Sequence, residues 1–116
     1  MSKLPAFQFY PGDWLRDVGV QSASFETRGF WVELLIRMWD APKRGKLEIR
    51  RGDLRRLLNC NADVEKRCLA EIKRLGIADV THSNGKVTIV NRRMFKDQIE
   101  REKTRERVRH HREKEA

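Results

Sequence analysis

The pair Asn84-Gly85 constrains this chain more than any other feature. It sits between two alternating runs, Ile77-Ala78-Asp79-Val80-Thr81-His82 and Lys86-Val87-Thr88-Ile89-Val90. A two-residue turn matched to the twist of antiparallel strands needs positive φ at both central positions. Asn-Gly provides that at low steric cost, so the segment reads as a β-hairpin. A lone hairpin is marginal in water, so the rest of the chain must supply the surface that covers it.

The residues before the hairpin read as three helices and one strand. Ser24 is a good N-cap for a helix ending near Asp40, ahead of Pro42. Placed at about 100° per residue, Glu26, Gly29, Glu33, Arg37 and Asp40 share one narrow polar face. Phe25, Phe30, Trp31, Val32, Leu34, Leu35, Ile36, Met38 and Trp39 cover the remainder. That apolar arc is wider than a surface helix needs, so two sides must pack. One side suits the downstream core. The other suits the aromatic segment Phe7–Leu15, or a second copy of the chain in a homo-oligomer. Lys46–Ile49 is a short strand candidate, and Leu54, Leu57 and Leu58 mark a second helix over 51–59. Asn61 or Asp63 caps a third helix that runs to Leu75, with Gly76 just past its end. Phe7, Phe9 and Pro11-Gly12 read as an extended segment and a turn. The order helix, strand, helix, helix, hairpin is that of an α+β winged helix. We divide the chain into a DNA-binding domain over 1–99 and a basic tail over 100–116. The tail has only Val108 to bury before the final Ala116, so it reads as a solvated helix or a disordered segment.

Charge is distributed in blocks. Of the chain's 116 residues, 37% are charged, and the formal net charge is +9. Residues 1–42 hold four Lys/Arg and five Asp/Glu, whereas residues 43–74 hold eleven and five. Residues 75–91 balance at one each, and residues 92–116 hold ten and six. Solubility explains a net charge but not its concentration into two blocks, so the pattern points to a polyanion. On the third helix, Lys66, Arg67, Ala70, Lys73 and Arg74 lie opposite the stripe Val64, Cys68, Leu69, Ile72 and Leu75. Cations around a small residue suit a recognition helix of a helix-turn-helix, reaching phosphates and guanine edges while allowing close approach. An ordinary solvated face is the competing reading. Arg50, Arg51, Arg55 and Arg56 surround the second helix, where a DNA-binding fold crosses the phosphate backbone. Asn84 and Lys86 at the hairpin tip, and Arg92 and Arg93 beyond it, complete the candidate DNA contacts. Base stacking on Phe7, Phe9, Tyr10 and Trp14 is disfavoured because residues 1–42 are net negative. Core packing accounts for these aromatics better. Arg28 falls inside the apolar arc of the first helix and needs a partner, with Asp13 and Asp17 nearest in sequence.

The stretch Phe9-Tyr10-Pro11-Gly12-Asp13-Trp14-Leu15-Arg16-Asp17, followed by Ser24-Phe25-Glu26-Thr27-Arg28-Gly29-Phe30-Trp31, resembles the opening of phage replisome-organiser N-terminal domains and their YdaU-like prophage relatives. Asp13-Trp14-Leu15, Arg28-Gly29, Leu34-Leu35 and Trp39 carry the resemblance, which spans about residues 7–100 and is strongest before Asp40. The chain departs from that pattern at Thr27, where acidic residues are usual, and at Trp31, where Tyr is common. The resemblance implies a winged-helix DNA-binding protein of phage or prophage DNA replication. It also implies origin recognition in the bacterial cytoplasm, at the nucleoid or phage DNA, and recruitment of a host or phage replicative helicase or its loader. A phage transcriptional regulator and a winged-helix interaction adaptor would show the same residues.

Nothing in the sequence marks an enzyme or calls for a cofactor. Gly45-Lys46 and Gly85-Lys86 lack the rest of a phosphate-binding loop. His82, His110 and His111 lack metal-ligand spacing with Cys60 or Cys68, which read as reduced core thiols. No apolar run approaches the length of a membrane span.

Overall fold

The computed structural model describes residue 6 and residues 9–115, so Phe7 of the aromatic segment lies outside the described residues. The architecture is α+β, with a three-stranded antiparallel sheet and six helices among the described residues. Helices α1 (Pro11–Arg16), α2 (Val18–Ser22) and α3 (Phe25–Trp39) come first. Strand β1 (Lys46–Arg50) leads to α4 (Asp53–Leu57) and α5 (Ala62–Arg74). Strands β2 (Asp79–Ser83) and β3 (Lys86–Val90) form the hairpin, and α6 (Arg92–Glu115) closes the chain.

The hairpin folds about Asn84 and Gly85, whose φ values of 51° and 74° are the pair that the turn demands. Strand β3 is central, with Ile89 opposite Leu47 on one side and Val80 on the other. Val87 lies opposite Ile49 and His82. Leu47, Ile49, Val80, Val87 and Ile89 therefore share one face, which packs on the core. Leu34, Met38, Leu54, Cys68, Ile72 and Ile89 are fully buried there.

Local signals explain most element ends. The Ser24 side chain accepts from Thr27 N, and Asn61 does the same for Val64 N, so α3 and α5 both start on side-chain caps. Helix α5 ends at Arg74, and Gly76, just past its cap Leu75, takes a φ of 68° that suits this position. Gly45 is required for a different reason: a Cβ there would fall 2.4 Å from the Phe95 backbone nitrogen. Its absence lets the entry to β1 lie against the start of α6, where the Gly45 carbonyl accepts from Asn91 N.

Three sequence expectations need correction. The extended segment and turn at Pro11-Gly12 is a helix, because Pro at its first position has a φ already set for helix and no donor to lose. The second helix begins at Asp53, not at Arg51, because the Arg51 N–H is bound to the Gly85 carbonyl and Gly52 takes a φ of 89°. Arg28 does not pair with Asp13 or Asp17. Its guanidinium donates to the carbonyls of Val20 at 3.0 Å and Gln21 at 2.6 Å. It thus sits at the negative end of α2, while Asp17 accepts from Val20 N at the positive end. Asp13 instead pairs with Arg93 across the molecule.

The wide apolar arc of α3 packs on two sides, as its pattern requires. Phe30, Trp31, Leu34, Leu35 and Met38 are buried, with α5 and the sheet on one flank and Trp14 and Val20 in the same cluster. Phe25 is left 84% exposed, with Arg28 above its ring. Of the N-terminal aromatics, Trp14 packs on the core, whereas Phe9 and Tyr10 stay about half exposed. Core packing therefore accounts for Trp14 but only in part for the other two.

Candidate nucleic-acid interface

A groove of about 650 Å³ opens between α4, α5 and the hairpin. Arg51, Gly52 and Arg55 form one wall, Lys66, Ala70 and Lys73 of α5 another, and His82 and Val87 the third. Ala70 is exposed between Lys66 and Lys73, so the small residue opens the middle of the cationic face. The α4–α5 turn that sets this geometry passes through Asn59 at φ 53°, a conformation Asn tolerates better than most residues. Two acids, Asp63 and Glu65, also line the groove. Glu65 Oε2 is buried with no hydrogen-bond partner among the described residues, which leaves an acceptor within the cationic frame.

The structure divides the sequence-selected residues into three groups. Arg51, Arg55, Lys66, Ala70 and Lys73 come together in the groove. Arg50, Arg56, Arg74, Asn84 and Lys86 are exposed but do not line it. Arg56 pairs with Asp53 at 3.1 Å, and Lys86 reaches Glu48 at 3.6 Å on the sheet face away from the core. The remaining three are engaged elsewhere. Arg67 donates to Glu26 of α3 at 2.7 Å, and the hydrogen bond to that carboxylate raises the Arg67 guanidinium above its ordinary value. Arg92 bonds Asp79 at 2.6 Å and the Gly76 carbonyl at 2.8 Å. Arg93 bonds Asp13 and lies 5.2 Å from the Tyr10 ring. Arg67, Arg92 and Arg93 are thus drawn away from the groove by acids distant in sequence.

His82 is the groove residue that the sequence underweights. It stands directly opposite Val87, so strand alternation turns it toward the core face just beyond the point where helices cover that face. The signal was its register within the hairpin.

A second cavity, about 380 Å³, lies on the other side of the molecule between α1, α3 and the start of α6. Its aromatic wall includes Phe9, Tyr10, Trp31 and Trp39, and Arg44 stacks 4.0 Å from the Trp39 ring. Cys60 and Cys68 are both free thiols, and burial pushes both above the ordinary value. Among the described residues no group of His, Cys, Asp and Glu is arranged to hold a metal, and no helix is long and apolar enough to cross a membrane. Comparisons with family models, curated proteins and solved structures found no match.

Proposed function

We propose that this chain is a winged-helix module that binds double-stranded DNA without chemistry, its groove between α4, α5 and the hairpin facing the duplex. The observation that carries this reading is the convergence of Arg51, Arg55, Lys66 and Lys73 around exposed Ala70. These come from separate elements, so a chance run of charge along one helix does not account for them. In this arrangement α5 is the recognition helix and α4 crosses the backbone. Lys66, Lys73 and the Arg pair neutralise phosphates. The strand order β1-β3-β2 with the hairpin beside α5 supports the winged-helix assignment. A role in phage or prophage replication, with recruitment of a helicase or loader, is inherited from the resemblance of residues 9–39.

Titration of duplex DNA in rising salt tests the reading. If about six phosphates are neutralised, log K falls with log salt at a slope of roughly −5. A flat response overturns it. It would favour the interaction adaptor, for which exposed Leu15, Val18 and Phe25 provide apolar surface.

A further inference from the structure

Helix α6 carries ten Lys/Arg and six Asp/Glu, and their positions are not random. At about 100° per residue they resolve into four rows along the helix. Lys96, Lys103, Arg107 and Lys114 fall within about 40° of each other. Arg101, Arg105, Arg109 and Arg112 form a second row centred about 180° from the first. Glu102, Glu106 and Glu113 occupy one gap between the basic rows, and Asp97, Glu100 and Glu115 the other.

The layout mixes opposite charges three or four apart, as at Lys96–Glu100, Asp97–Arg101 and Arg109–Glu113, with like charges at the same spacing. Rows place like charges four apart, as at Arg101–Arg105, Arg105–Arg109, Lys103–Arg107 and Glu102–Glu106, and each such pair weakens a helix. Arg92 and Arg93 pair with the body of the molecule. None of the other α6 Lys or Arg residues makes an ion pair within 4.0 Å among the described residues. Every residue from 100 to 115 is exposed. The basic rows are therefore left open on two opposite sides.

A single duplex does not meet both sides. The helix is about 10–12 Å across with its side chains, close to the Debye length of about 10 Å at 0.1 M salt, so each row acts on its own surroundings. Insertion into the major groove would bring both rows to its walls, yet it would aim a row of carboxylates at the electronegative floor. The geometry points to α6 as a bridge between two DNA duplexes, one along each basic row, with the carboxylate rows facing the water between them. The first row runs about 27 Å from end to end, most of one DNA turn, and the second about 17 Å, half of one. The inference rests on the duplex-DNA reading above and adds a second duplex to it.

The test is capture of a dye-labelled duplex by the full chain bound to a different, bead-immobilised duplex, alongside a gel shift for binding to one duplex. Two variants carry equal charge change: Lys103→Glu with Arg107→Glu and Lys114→Glu, and Arg105→Glu with Arg109→Glu and Arg112→Glu. Wild type captures the second duplex while light scattering shows a monomer. Reversal of either row reduces capture by at least about tenfold while one-duplex binding persists through the groove and the other row. Capture that survives reversal of either row overturns the proposal, as does capture only by a dimer. Wild type that shifts one duplex but captures none also overturns it and leaves the proposed function standing. Wild type that shifts no duplex removes both.

Discussion

Helices α5 and α6 are both rich in Lys and Arg, but the molecule holds them differently. Helix α5 buries Cys68, Leu69 and Ile72 against α3 and the sheet. Its cations consequently have fixed neighbours: Lys66 and Lys73 face Arg51, Arg55 and the hairpin, and Arg67 faces Glu26. Helix α6 has Met94 against the core, and beyond residue 99 it buries nothing. Val108, the one apolar side chain there, is 45% exposed. A charged helix fixed by an apolar stripe makes a surface of definite shape. A charged helix without one presents charge around its whole circumference, where only partners in solution can order it.

The contrast is broken most directly at Ile72. Ile72→Ala should lower unfolding free energy by about 2–5 kcal/mol, read from urea denaturation, because the side chain is fully buried. A loss too small to measure would mean that the core does not hold α5. The groove comes next. Lys66→Glu combined with Lys73→Glu should weaken duplex binding by about 10–100-fold with an unchanged melting temperature, since both side chains are exposed. Equal binding by wild type and variant in a fluorescence titration would place the DNA surface elsewhere.

Removing residues 100–116 sharpens the same contrast from the other helix. The melting temperature should move by less than about 2 °C, because residues 100–115 are all exposed. DNA affinity should fall, more at low salt than at high salt, through loss of the tethered cations. A large drop in melting temperature, with loss of a dimer in light scattering, would make this segment an interface.

Two smaller effects separate residues within α5. Burial raises the Cys68 thiol above its ordinary value of 9.0. The folded state thus favours the neutral thiol, and that share of stability is complete below the unfolded value and lost as pH rises through the folded one. Cys68→Ala should flatten the decline in stability above about pH 9, and an unaltered alkaline slope would show that the thiol contributes nothing. Arg67→Ala should leave melting temperature and DNA affinity near wild type, since its ion pair is 61% exposed on the Arg side and turned toward α3. Strong loss of DNA binding would return Arg67 to the interface.

Much of the fold was legible in the sequence where the signal is local. Asn84-Gly85 specifies its turn through backbone conformation, and Asn61 and Gly76 bracket α5 through a side-chain cap and a positive φ. The Pro11-Gly12 pair signals a turn in sequence, whereas here Pro11 opens a short helix, and the helix that Asp17 caps after it has no assignment in the sequence reading. Of the candidate site, the cationic content of α4 and α5 was legible, but its partition was not. Arg67 and Lys66 are adjacent and chemically similar, yet only Lys66 lines the groove.

The sequence by itself determined the α+β content, the hairpin register and the alternating charge blocks, because these depend on residues a few positions apart. The tertiary structure alone decided which cations act together. Glu26 lies 41 residues from Arg67, and Asp13 lies 80 from Arg93. Pairings at such separations follow from how α1, α3, α5 and α6 pack, and the periodicity of a single element carries no record of that. The same packing brought His82 to the groove, because the sheet face it shares with Val87 extends past the helices that cover the rest.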